Sequence, residues 1–109
     1  MSLSTHVLDA TTGKPAAGLT VSLWRQKGDD GTWVELHDGR TDGDGRIQGW
    51  PLDEGAHRLV FATGLWWARH GVPAFHPEVV VTFIVTDPEV HYHVPLLASP
   101  FAYTTYKGS

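Results

Sequence analysis

Cysteine is absent from all 109 residues, which excludes disulfide staples, thiolate nucleophiles, iron–sulfur clusters and Cys-ligated zinc. Basic charge is scarce. Eight Lys and Arg stand against twelve Asp and Glu, a formal charge of −4 with histidine neutral. That balance argues against a chain built to neutralise nucleic-acid phosphates or an anionic membrane surface, so neither is an expected partner. Long apolar runs are missing too: Val79 to Val85, the longest, is broken by Thr82 and is far shorter than a membrane span. Met1 to Ala10 holds no basic stretch followed by an apolar one, so a secretory signal is not expected and the expected location is cytoplasmic. Neither a Gly-rich phosphate loop nor a Gly-x-Ser-x-Gly elbow occurs.

What remains is a globular composition, with 41% hydrophobic and 18% charged residues, enriched in histidine (seven) and tryptophan (five). The length suits one domain over residues 1–109, and without staples a chain this small gains from assembly. Gly and Pro punctuate it every eight to twelve residues, the spacing of an all-β sandwich. Strands are expected over Leu3–Asp9, Leu19–Lys27, Thr32–Arg40, Arg46–Gly49, His57–Thr63, Glu78–Val85, His91–Leu97 and Phe101–Lys107. Turns are expected at Thr11–Pro15, Gly28–Gly31 and Asp42–Gly45, and one short helix at Leu65–His70 between two glycines. Pro95 inside a strand marks an edge or an irregularity, because it cannot donate to the ladder.

Four constellations could carry chemistry. His91 and His93, at i and i+2 on a strand, project from one face and could share a zinc ion if a third ligand arrived; otherwise they are one surface and one packed histidine. His6 lies in an apolar first strand, where a structural histidine is the ordinary occupant. Arg46 follows the turn Asp42-Gly43-Asp44-Gly45, whose spacing is that of a calcium loop without its closing Glu. Tyr106-Lys107-Gly108-Ser109 ends the chain directly after an aromatic strand, an odd sequence for a frayed tail.

Together these pieces resemble one family. His6-Val7-Leu8-Asp9 with Gly13-Lys14-Pro15-Ala16 at one end matches the first signature of transthyretin-like proteins. Tyr92-His93-Val94-Pro95-Leu96-Leu97, Ser99-Pro100-Phe101 and Tyr103-Thr104-Thr105-Tyr106 match the second. The resemblance spans Leu3 to Ser109 and implies a transthyretin-like β-sandwich of seven to eight strands with one short helix. It also implies a homotetramer, a dimer of dimers with sites in a channel between dimers. Within the family, carriers of hormone-sized ligands diverge from hydrolases of urate degradation, which open the ring of 5-hydroxyisourate to 2-oxo-4-hydroxy-4-carboxy-5-ureidoimidazoline. His6, Arg46, His93 and the terminal Tyr106-Lys107-Gly108-Ser109 fall on the hydrolase positions, so the hydrolase is the implied activity and the non-catalytic carrier the alternative.

The implied catalytic residues are His6, Arg46 and His93, and the implied substrate-binding residues are His6, Arg46, Tyr106, Lys107 and Ser109. No metal or cofactor is implied: an imidazole activates water, and Arg46 holds the anionic substrate and lowers the pKa of a neighbouring imidazole. Lys107 departs from the family's arginine and gives up its bidentate fork. Ala98 replaces a larger aliphatic, and Ala102 a glycine or serine.

Overall fold

The computed structural model describes residues 2–28 and 30–109; Asp29, in the expected Gly28–Gly31 turn, lies outside them. Nine strands and one helix follow in order among the described residues: β1 (Ser2–Asp9), β2 (Lys14–Pro15), β3 (Thr20–Lys27), β4 (Thr32–Arg40), β5 (Arg46–Pro51), β6 (Gly55–Phe61), α1 (Thr63–Arg69), β7 (Val79–Val85), β8 (Tyr92–Ala98) and β9 (Tyr103–Thr105). They form two sheets. One runs β2-β1-β8-β9, with β5 pairing β1 on the side that β2 also occupies; the other runs β4-β3-β6-β7. The fold is a two-sheet β-sandwich with one short helix.

Period-2 alternation drives the layering. On β1, Leu3, Thr5, Val7 and Asp9 are buried while Ser2, Ser4, His6 and Leu8 face the other side. Leu23, Leu59, Phe61, Val85 and Leu96 fill the space between the sheets with no exposed surface. His57 joins them, fully buried, with Nδ1 on the Gly55 carbonyl at 3.0 Å and its ring stacked on Phe83. Helix α1 packs Trp66 and Trp67 onto the core, and the Trp66 indole N–H donates to the Ala17 carbonyl at 2.8 Å.

Two differences from the sequence reading have physical causes, and Pro95, expected at an edge or an irregularity, resolves to the irregularity. The Thr11–Pro15 turn swings back far enough for Lys14 and Pro15 to pair with Asp9 and Leu8, which adds a ninth strand to the expected seven to eight. Pro95 is not on an edge: β8 lies between β1 and β9. Instead the β8–β9 ladder stops at Leu96 and Thr105, next to the proline that has no N–H, and the Thr105 hydroxyl donates to the Pro95 carbonyl at 2.8 Å. That is why the last strand is three residues long rather than reaching Lys107.

Candidate active site

Strands β5, β1 and β8 lie side by side, and their outer face gathers the candidate residues. His6 stands opposite Arg46, and Ser4 opposite Gln48, across the antiparallel β1–β5 ladder. Ser4 stands opposite His93 across the parallel β1–β8 ladder. Residues directly opposite share a face, so three distant segments bring His6, Arg46 and His93 to one surface. A cleft of about 220 Å³ opens there, with Ser4, Arg46, Gln48, His91, His93 and Ser109 in its wall.

A tight turn seats Arg46. The Asp42 carboxylate accepts the backbone N–H of Asp44 and of Arg46, each at 2.9 Å, and the Gly45 N–H reaches the Asp42 carbonyl at 2.9 Å. Those amides, the Arg46 N–H first, hold the Asp42 carboxyl below its ordinary range. Gly45 has φ +75, and a Cβ there would collide with the Val7 carbonyl oxygen, so glycine is the residue that fits. The Asp-x-Asp-Gly pattern therefore spends Asp42 on the turn that points β5 at His6.

His93 is held from two sides. Its Nδ1 lies 2.7 Å from the Ser4 hydroxyl, and its carbonyl accepts the Gly108 N–H at 2.8 Å. Gly108 lies so close that a Cβ would sit 2.5 Å from the His93 Cδ2. The terminal residues are thus tied down, by the Thr105 and Gly108 bonds together, and Ser109 reaches the cleft wall. Burial pushes the His93 imidazole below its ordinary pKa, and the Arg46 guanidinium, His91 and His6 push the same way, while Ser4 opposes. Arg46 thereby acts on a neighbouring imidazole in the expected direction, second to burial.

The model of the HIUase/Transthyretin family matches residues 3–108. The chain belongs to that family. It is 46% identical to a 5-hydroxyisourate hydrolase of Salmonella typhimurium, over 98% of this chain and 80% of that protein. It is 41% identical to a 5-hydroxyisourate hydrolase of Mus musculus, over 98% and 94%. Among solved structures, the 5-hydroxyisourate hydrolase of Klebsiella pneumoniae superimposes with a TM-score of 0.84 at 38% identity, covering 99% of this chain and 93% of that one. Sea bream transthyretin in complex with thyroxine superimposes with a TM-score of 0.90 at 33% identity, covering 97% and 93%. Both branches of the HIUase/Transthyretin family share the fold, so the residues on it must separate them.

Of the expected set, His6, Arg46, His93 and Ser109 come to the same face within one chain. Tyr106 and Lys107 do not. They line a separate cleft of about 280 Å³ with Phe83, Ile84 and Tyr92, and the Lys107 ammonium lies 5.4 Å over the Tyr92 ring. Ser4 and Gln48 are absent from the expected set although both line the cleft with Arg46 and His93. Their signal was the alternation itself: Ser4 is two residues from His6, and Gln48 two from Arg46.

Proposed function

We propose that the chain is a 5-hydroxyisourate hydrolase: it opens the ring of 5-hydroxyisourate by adding water to a ring carbonyl, a step of urate degradation. The observation that carries this reading is the polar cleft in which Arg46, His93 and Ser109 meet, on a chain similar along nearly its whole length to relatives bearing that name. His93 is the general base. Its lowered proton affinity keeps it neutral near pH 7, and the single hydrogen bond at Nδ1 leaves Nε2 for water. Arg46, exposed at the start of β5, binds the oxygen-rich anion and offsets charge developing on the attacked carbonyl. His6 orients substrate or water beside it, and Ser109 hydrogen-bonds the substrate. Tyr106 and Lys107 act less directly, by seating Ser109 and by adding positive potential to an otherwise acidic protein.

The carrier reading has one observation behind it, the superposition on a transthyretin that holds thyroxine. A wall of two histidines, an arginine, a glutamine and two serines is the wrong lining for a large aromatic ligand. Assembly into a homotetramer is part of the proposal. It is supported by apolar side chains left outside, Phe75 at 72%, Phe101 at 69% and Ile84 at 66% exposure. The test is ultraviolet decay of freshly generated 5-hydroxyisourate with and without a strong chelator. Accelerated decay, indifferent to chelator, is the expected result. Thyroxine binding without accelerated decay would move the chain to the carriers.

A further inference from the structure

A chain of hydrogen bonds runs from the cleft to solvent. The Ser4 hydroxyl lies 2.7 Å from His93 Nδ1 and 2.8 Å from His91 Nε2, and the Ser2 hydroxyl lies 3.2 Å from His91 Nδ1. A hydroxyl has one proton to give. With its single proton directed along the chain, Ser4 donates to one ring nitrogen and accepts from the other, which couples the tautomers of the two histidines. Two directions satisfy every member. In the first, His93 Nδ1–H donates to Ser4, Ser4 donates to His91 Nε2, and His91 Nδ1–H donates to Ser2; His93 Nε2 then carries a lone pair. In the second, all donors reverse and His93 Nε2 carries a proton.

We infer that Ser4 and His91 are positioning residues for His93, Ser4 setting its tautomer and His91 serving as the solvent-side end of a proton relay. The inference rests on the hydrolase reading for its kinetic consequence. The step balances. His93 Nε2 takes a proton from the attacking water as its Nδ1 proton passes to the Ser4 oxygen. The Ser4 proton passes to His91 Nε2. Ser4 ends unchanged, His93 ends neutral with the proton on Nε2, and the charge resides on His91, which is exposed and can release it to bulk water. His93 Nε2 gives that proton to the departing ring nitrogen as the relay runs back, a proton passing from His91 Nε2 through Ser4 to His93 Nδ1 and His91 drawing on bulk water for any it has released, so one side chain serves as base and then as acid. A half-buried imidazolium beside Arg46 is avoided throughout.

Geometry explains why these residues suit the task. Ser4 and His93 are directly opposite in the parallel ladder, and β1 and β8 are both interior strands whose spacing is set on both sides. His91 is anchored by its neighbour: the buried Tyr92 hydroxyl accepts the Thr86 and Asp87 N–H groups at 3.0 and 3.2 Å.

Two measurements on the full-length protein decide it. Ring-nitrogen NMR shifts, which need no substrate, are expected to show His93 as the Nδ1–H tautomer at neutral pH in the wild type, and a shift toward Nε2–H in Ser4→Ala. In the decay assay, Ser4→Ala and His91→Phe are expected to lose about tenfold to a hundredfold in kcat, within the roughly 10²–10⁴ that a general base supplies, with KM within about twofold. Ser4→Thr, which keeps the hydroxyl, is expected to restore both tautomer and kcat. A wild-type His93 already in the Nε2–H form, or a Ser4→Ala variant with unchanged tautomer or unchanged kcat, would overturn the relay. Absence of hydrolysis by the wild type would overturn the hydrolase reading instead, and the tautomer measurement would still judge Ser4.

Discussion

At the scale of single residues, the two neighbours of His93 make separable demands. Its imidazole is pushed down by burial first and by Arg46 second. The acid limb of kcat/KM is therefore expected below the ordinary histidine value of about 6.5. Removing the guanidinium relieves part of that push, so Arg46→Gln is expected to move the limb upward while lowering kcat by about 10²–10³ as an oxyanion partner is lost. A pH–rate profile of both proteins checks this, and a limb that moves down or stays put would deny the coupling. Gly108 makes the steric demand. Gly108→Ala sets a methyl 2.5 Å from His93 Cδ2 and must displace either the ring or the chain end. Loss of most activity with an unchanged circular dichroism spectrum is expected. His6, Arg46 and His93 stood out as a set only through the family resemblance, since each alone reads as an ordinary surface or core residue. Ser4 had only its alternation with His6 to mark it, because its partner is fixed only once β1 is known to lie parallel to β8, 89 residues away in the chain.

At the scale of elements, the Asp42–Gly45 turn is the joint on which Arg46 depends. Gly45→Ala forces a left-handed φ on a residue with Cβ and drives that atom into the Val7 carbonyl. It is expected to cost about 1–3 kcal/mol from the backbone alone. Denaturant titration reads the stability, and KM should rise as Arg46 loses its seat. Strands with clean alternation, such as β1 and β3, fell within a residue or two of expectation because one buried face dictates the register. The ends of the list were harder. The β2 pair is made by the return angle of a turn and by nothing in its own residues, and β9 is cut short by a proline on a different strand. Neither cause is local in sequence. Helix α1 begins two residues before the expected Leu65, at the buried Thr63, where tertiary contact rather than capping decides the start.

At the scale of the whole molecule, His57 links the core to pH. Burial lowers its pKa in the folded protein, and Nε2 has no partner there. Below about 6.5 the unfolded chain binds a proton that the folded one refuses, so stability falls as pH drops through that value toward the lower folded pKa. His57→Phe, stacked against Phe83 in the same place, is expected to flatten this loss, seen as a smaller fall in Tm between pH 7 and pH 5. The proposed assembly has a second large-scale consequence. Ile84 stands exposed on β7, the outermost strand of its sheet. Under the proposed homotetramer, Ile84→Asp is expected to shift the sedimentation coefficient from the tetramer toward smaller species.

Catalysis by His93 on 5-hydroxyisourate is tested most directly by following the ultraviolet decay of the freshly generated compound with wild-type protein and with His93→Ala at equal concentration. The wild type is expected to accelerate decay well above buffer, and His93→Ala, still folded, to lose at least about 10²-fold of that acceleration. Equal rates for the two proteins would contradict a catalytic His93, and a wild-type rate equal to buffer would contradict the hydrolase itself.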